Sequence, residues 1–289
     1  MTMSEAVFEL IPYLEERRVQ VDTALREVLP AADADDPGKL KDAMRYGVLL
    51  GGKRMRPMVT IAACEALGGT STDALPPACA VEMIHAYSLV HDDLPAMDND
   101  LERRGVPTVH VKYGEANGIL VGDALLTHAF TVLADPKGLP GAQAAAAIAR
   151  LAHHAGIYGM VGGQALDLEY GQDIRDIELL ERVHALKTGG LYAASAAMGA
   201  IAGGAEKTVA DSFERWGLCF GIAFQHADDM LDDDQLALRS QALARVDALV
   251  CECDELAAPY RQRAAALRAL SAWVKERAHS AAEGDKASD

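Results

Sequence analysis

The sequence predicts an all-α fold, and three observations carry that expectation. Apolar residues recur at intervals of three and four along most of the chain, and no strict polar/apolar alternation runs longer than four residues. Half of the 289 residues are hydrophobic while only 5% are aromatic, and much of that apolar content is alanine and leucine, which suits close-packed helices better than a sheet. The length allows one large domain or two with a substantial core, and no repeat of fixed period divides it.

The helices follow in order. From about Ser4 to Val28, residues such as Phe8, Ile11, Leu14, Val21, Leu25 and Val28 keep helical spacing until Pro30 ends it. An acidic turn spans Ala31 to Pro37, and helical spacing resumes from Leu40 to Leu50, before Gly51-Gly52. Met55 to Leu67 stops at Gly68-Gly69, a normal C-terminal signal. Ala74 to Asp92 is read as a helix opened by Pro76-Pro77, and Asn117 to Ala134 as another, closed before Pro136. The alanine-rich run Ala142 to Ala155 is read as packing alone. In the helix from Ile157 to Leu168, Gly159, Gly162 and Gly163 cost stability unless another backbone or a ligand comes close. Ile177 to Gly203, Val209 to Leu231, Leu236 to Leu256 and Tyr260 to His279 complete the set. One domain is expected over residues 1–279, and the polar tail Ser280 to Asp289 is expected to be disordered.

The formal net charge of −16 argues against nucleic acid or an anionic membrane surface as partner, so an anionic substrate would need local basic groups and metal. The five cysteines (Cys64, Cys79, Cys219, Cys251, Cys253) are odd in number and form no CxxC pair, so neither a disulfide framework nor a zinc site is indicated and a cytoplasmic location is expected. Neither a targeting segment nor a membrane span is expected.

Two acidic clusters point to chemistry. The apolar run from Ile84 to Val90 ends in Asp92-Asp93, and Asp98 follows six residues after Asp92. A continuous helix would aim Asp98 elsewhere, but Pro95 ends or kinks the helix and lets the chain bend Asp98 back. In the second cluster Asp228 and Asp232 are i,i+4 neighbours, with Gln225 one turn earlier on the same side. Oxygen ligands gathered without His or Cys suit Mg²⁺, which keeps several waters and shares its shell with substrate phosphate. Lys53 and Arg56 follow Gly51-Gly52 at a helix start, where backbone amides, the helix dipole and two cationic side chains suit a diphosphate.

These two aspartate motifs, with Gly51-Gly52-Lys53-Arg54-Met55-Arg56-Pro57, resemble the trans-isoprenyl diphosphate synthases (polyprenyl synthetases), most closely the bacterial farnesyl diphosphate synthase branch. The likeness runs from about the first helix to Asp232 and is weak beyond. It implies a single-domain isoprenoid synthase-type bundle around a central cavity, working as a homodimer. The implied reaction condenses isopentenyl diphosphate with an allylic diphosphate, dimethylallyl or geranyl. About three Mg²⁺ would bind at Asp92, Asp93, Asp98, Asp228 and Asp232. By the same resemblance Lys53, Arg56, His85 and Arg104 hold isopentenyl diphosphate, Arg103 and Lys187 contact the allylic diphosphate, and Thr188 and Gln225 lie near the carbocation. Tyr87 and Ser88, about 7 Å down the helix from Asp92, form the floor that ends chain growth. An aromatic there implies farnesyl diphosphate, with geranyl and geranylgeranyl diphosphate as alternatives.

The chain departs from the pattern after Asp234. The branch continues there through a loop with Gly-Lys and Tyr-Pro pairs that covers the allylic diphosphate, whereas residues 222–274 here contain neither glycine nor lysine. Arg239 and Arg245 are the candidate substitutes, and a non-catalytic regulatory subunit is the alternative this deletion raises. A terpene cyclase would not need Lys53, Arg56 and Arg104. Glu82-x-x-His85 and Glu181-x-x-His184 also match the ligand pattern of di-iron bundles, but that site needs two further glutamates on separate helices and leaves the aspartates unexplained.

Overall fold

The computed structural model describes residues 8–171, 174–234 and 236–284. Thirteen α-helices are described: α1 (Leu10–Val28), α2 (Leu40–Leu49), α3 (Met55–Ala66), α4 (Ser71–Asp92), α5 (Val109–Tyr113), α6 (Glu115–Ala134), α7 (Gly141–Ala155), α8 (Met160–Tyr170), α9 (Ile177–His184), α10 (Gly190–Ala202), α11 (Lys207–Leu231), α12 (Arg239–Ala257) and α13 (Ala265–Ala282). The all-α expectation holds, apart from a two-residue antiparallel hairpin, β1 (Glu102–Arg103) and β2 (Val106–Pro107), just past the first acidic cluster.

The bundle is built around α10, whose residues from Gly190 to Ile201 are all buried. Helices α3, α4, α7 and α11 pack on it. Its small side chains set the spacing. A Cβ on Gly199 would lie 2.0 Å from the carbonyl oxygen of Thr60 in α3, and one on Gly217 in α11 would lie 2.2 Å from the carbonyl oxygen of Tyr192 in α10. Such approach is open only to glycine, so α3, α10 and α11 lie nearly backbone to backbone.

Three local differences from the sequence reading have physical reasons. Helix α4 starts at Ser71, before Pro76 and Pro77, because Thr70 and Asp73 form a reciprocal capping box: the Asp73 carboxylate accepts from the Thr70 N–H at 2.9 Å, and the Thr70 hydroxyl accepts from the Asp73 N–H. The two prolines therefore lie inside the helix, near its N-terminal end. The segment expected as one helix from Ile177 to Gly203 contains a π turn, Ala185–Gly189, between α9 and α10. Helix α13 runs to Ala282, three residues into the stretch assigned to the tail, while the expected start of α1 near Ser4 and residues 285–289 lie outside the described residues.

By length and composition α6 is apolar enough to cross a membrane, which the sequence reading did not anticipate. Its Val121, Leu125, Ala129 and Leu133 are fully buried in the bundle against α4. Ile119 and Leu120 on its other face are 50% and 51% exposed.

Gly217→Val forces a branched side chain into the α10 backbone and is expected to destabilise by about 1–3 kcal/mol or more. Gly141→Ala, which meets nothing within 4 Å at the start of α7, should be neutral or stabilise by up to about 1 kcal/mol. Urea unfolding of the two variants checks the pair.

Candidate active site

A cavity of about 950 Å³ opens between α3, α4, α8, the π turn and α11, at the upper end of the range for small-molecule sites. Of the sequence-predicted residues, Lys53, Arg56, His85, Tyr87, Ser88, Asp92, Arg104, Lys187, Thr188, Gln225 and Asp228 line it. Asp98 and Asp232 are exposed beside the rim, and Asp93 and Arg103 are not part of the wall.

The first acidic wall forms as the proline argument requires: past Leu94-Pro95 the chain turns back, and the Asp98 N–H donates to the Asp92 carbonyl at 2.8 Å. Asp93, counted among the metal ligands from sequence, points elsewhere. It is only 3% exposed and forms an ion pair with Arg103 at 2.6 Å. Arg103, expected on the allylic diphosphate, is thus engaged with Asp93 and also with Asp100 at 3.3 Å, which anchors the hairpin against the end of α4. A sequence cannot show this pairing, because all three carboxylates lie within the reach of either arginine.

The basic wall depends on a left-handed turn. Gly51, Gly52 and Arg54 all have positive φ. Gly52 is favoured by its φ of 129°, which side chains rarely adopt, and the Arg104 guanidinium, which donates to the Gly51 carbonyl, lies 2.8 Å from where its Cβ would stand. Arg54, unassigned from sequence, holds its strained φ of 52° through a buried ion pair with Glu82 at 2.6 Å, an ion pair with Asp22 at 3.0 Å and a hydrogen bond to the Val48 carbonyl. Arg56 stacks over the Tyr192 ring at 4.8 Å, and its buried Nε has no partner among the described residues, as expected of a donor that awaits an anion. Burial, then Arg56 and Arg104, push the His85 imidazole well below its ordinary pKa and keep it neutral.

Lys187 and Thr188 reach the cavity because the π turn shifts them out of α-helical register, a device common at functional sites. Helix α8 lies against that turn: a Cβ on Gly163 would be 2.2 Å from the Lys187 backbone nitrogen, so the glycine-rich start of α8 meets the backbone approach its sequence called for. Lys187 forms an ion pair with Asp167 at 2.6 Å. Asp167 and the cavity-lining Gln164, both on α8, were missed from sequence, although their position just after Gly162-Gly163 was a usable signal. Thr188 donates to the Gln225 side-chain oxygen at 2.8 Å.

The second acidic wall brings a further residue. Arg277 of α13 stands over the Trp273 ring and forms an ion pair with Asp228 at 3.3 Å. The arginines proposed to replace the missing loop do not reach the cavity: Arg239 binds the carbonyls of Met230 and Ala281, and Arg245 pairs with Glu181 at 2.6 Å. Beyond α11 the chain passes through a turn at 232–234 and one 3₁₀ turn, Leu236–Leu238, before α12.

The donor set fits a divalent cation. Burial pushes the Asp92 and Asp228 carboxyls up to about 6, Lys187 opposing the rise at Asp92, and Arg277 and Lys53 at Asp228. Among the described residues no three His, Cys, Asp or Glu close around one point, so an ion held here would take most of its shell from water and phosphate. Among the described residues the two glutamates of the di-iron pattern are engaged elsewhere, Glu82 with Arg54 and Glu181 with Arg245.

A family model described as polyprenyl synthetase matches residues 37–236. A geranylgeranyl diphosphate synthase of Cyanophora paradoxa is 45% identical over 227 residues, covering 78% of this chain and 75% of that protein. A farnesyl diphosphate synthase of Geobacillus stearothermophilus is 44% identical over 222 residues, covering 76% and 74%. The crystal structure of an FPP/GFPP synthase from Zymomonas mobilis aligns with a TM-score of 0.84 at 35% identity, covering 92% of this chain and 98% of that one.

Because both carboxyls are raised, the unfolded chain gives up these protons at lower pH than the folded one. Stability without metal should therefore fall as pH rises from about 4 to about 6. Mg²⁺ needs the carboxylate forms, so millimolar Mg²⁺ should raise Tm at pH 8 and lose that effect at pH 5. Thermal melts with and without Mg²⁺ at the two pH values check the sign.

Proposed function

We propose, on the premise that this chain belongs to the polyprenyl synthetase family and is a prenyltransferase, that it condenses isopentenyl diphosphate with dimethylallyl or geranyl diphosphate to give mainly farnesyl diphosphate. The observation that carries this reading is one cavity with a basic wall at Lys53, Arg56 and Arg104, carboxylates at Asp92 and Asp228, and the Tyr87 ring beneath them.

The family typically uses Mg²⁺, and here Asp92, Asp98, Asp228 and Asp232 would hold it, about three ions in all by family resemblance. When bound, the metal supplies positive charge for the departing pyrophosphate. Lys187 adds a further cation on that side, steadied by Asp167. Lys53, Arg56 and Arg104 bind the diphosphate of isopentenyl diphosphate, and neutral His85 offers a donor among them without adding charge. The oxygens of Thr188 and Gln225 face the allylic carbon as it becomes cationic. Apolar side chains such as Leu89, Met160, Val161 and Phe224 exclude water that would quench the cation. The C4 double bond of isopentenyl diphosphate then attacks, and one proton leaves to the released pyrophosphate.

Tyr87 is the reason for choosing fifteen carbons. Its ring is buried at 6% exposure and braced by His91, edge to face at 5.8 Å. His91 is itself wedged against α6, where a Cβ on Gly122 would lie 1.9 Å from its Nε2 and where the Ile119 carbonyl lies 3.1 Å from it. A ring backed by a second ring and a helix backbone makes a firm floor.

The half-exposed Ile119 and Leu120 on apolar α6 support a homodimer through that face. Sedimentation should give twice the chain mass, and Ile119→Asp with Leu120→Asp should halve it; a monomeric wild type contradicts the dimer.

Asp92→Ala and Asp228→Ala are each expected to lower turnover by at least about a hundredfold with the fold intact, and near-normal turnover in either would remove the metal wall from the mechanism. Tyr87→Ala should shift the products, read by mass spectrometry, to twenty carbons or more; an unchanged length would put the floor elsewhere.

A further inference from the structure

Behind Thr188 and Gln225 a hydrogen-bonded chain continues to Asp229 and His184, which the reaction as described leaves unused. His184, the last residue of α9 and only 6% exposed, places Nε2 3.1 Å from Asp229 Oδ2. The other oxygen of that carboxylate, Oδ1, accepts from Gln225 Nε2 at 2.8 Å, and Gln225 Oε1 accepts from the Thr188 hydroxyl at 2.8 Å. Gln225 and Asp229 are i,i+4 on α11, Thr188 is on the π turn, and the His184 ring is held edge to face by His226 at 4.7 Å. His226 lies in turn 3.4 Å from Glu181 Oε1. Asp229 is therefore bonded through both carboxylate oxygens.

We propose that His184 is a positioning residue for the condensation: by fixing the Asp229 carboxylate it sets which way the Gln225 amide faces, and so turns oxygen lone pairs rather than N–H or O–H groups toward the carbocation. This deepens the prenyltransferase reading above and rests on its placement of Thr188 and Gln225 beside the cation.

The orientation follows from donor and acceptor chemistry. An ionised carboxylate only accepts, so the amide nitrogen of Gln225 must face Asp229 and its oxygen must face Thr188. The Thr188 hydroxyl then spends its hydrogen on Gln225 and leaves its lone pairs for the cavity. If the amide turned over, its nitrogen would donate to Thr188, and the Thr188 hydrogen would be released toward the developing positive charge. Oriented dipoles in a dry site act strongly, and this reversal changes their sign. A second cavity of about 270 Å³, lined by His184, Thr188, Gln225 and Asp229, adjoins the chain. Without the imidazole, water from that cavity competes for Asp229 Oδ2, and the carboxylate can rotate away from Gln225.

Three variants test this. In Asp229→Asn, His184 still donates to the side-chain oxygen, so the new NH₂ faces Gln225 and forces its amide over in a nearly isosteric protein. His184→Leu removes the donor, and His184→Gln restores one. Asp229→Asn and His184→Leu should each lower kcat by about tenfold to a hundredfold, the range for losing an outer partner of a site residue, while KM for both diphosphates stays within about twofold. His184→Gln should recover most of kcat. Wild-type kcat in Asp229→Asn or in folded His184→Leu overturns the proposal, as does a folded His184→Gln that stays as slow as His184→Leu. Should His184→Leu fail to fold, Asp229→Asn decides alone. Gln225→Leu separates the two levels: unchanged kcat there would remove Gln225 from the cation, whereas slow Gln225→Leu beside normal His184→Leu and Asp229→Asn would overturn only the positioning role. In the double variant, His184→Leu should add no further loss to Gln225→Leu.

Discussion

The site is organised around two half-buried carboxylates whose charge the neighbouring cations only partly offset. Asp92 and Asp228 end separate helices, face one cavity and have lost enough water that their protons are held up to about pH 6. Two neighbouring carboxylates are closed off by short arginine pairs, Asp93 by Arg103 and Glu82 by Arg54, both at 2.6 Å. Asp228 keeps a longer ion pair with Arg277 at 3.3 Å and lies in the field of Lys53, while Asp92 lies in the fields of Lys187 and Arg103, and both carboxyls stay raised. A cavity that carries this deficit on one side and a surplus of arginine and lysine on the other suits a metal–diphosphate complex better than either component alone.

Holding that imbalance requires a stiff frame, and close backbone packing supplies it. The Ala- and Gly-rich α10 lets α3 and α11 approach to backbone contact, which aligns the Lys53–Arg56 wall with the second acidic cluster. The π turn before α10 and the glycines of α8 then bring Lys187 and Thr188 to the opening between the two acidic walls. Each of these devices costs local stability, and their concentration around one cavity is what a functional constraint on the fold would produce.

Much of this was legible in the sequence, because helical periodicity is strong and the aspartate clusters announce themselves at helix ends. The Pro95 bend that returns Asp98 to Asp92 followed from covalent geometry alone, and so did the close approach at Gly163. What could not be read has two causes. Pairing among nearby charges is a tertiary choice, so the ion pair between Asp93 and Arg103 could not be foreseen, and Arg54 was passed over. Contributions from far along the chain were also hidden: Arg277 lies 49 positions after Asp228 in a helix of weak resemblance, and nothing local marks it. The start of α4 was misplaced because two prolines drew more weight than the Thr70–Asp73 capping box.

The short connection after Asp234 is where this chain differs most from the pattern it resembles, and neither Arg239 nor Arg245 fills the gap. Arg277 puts a cation from another helix at the same aspartate cluster, so the charge balance can be kept without the loop. The most direct measurement is incubation of the purified chain with isopentenyl diphosphate and geranyl or dimethylallyl diphosphate, with Mg²⁺ or with chelator, reading the products by mass spectrometry. A Mg²⁺-dependent fifteen-carbon diphosphate is the expected result. Absence of any elongated product from either primer, or equal turnover in chelator, would contradict the account.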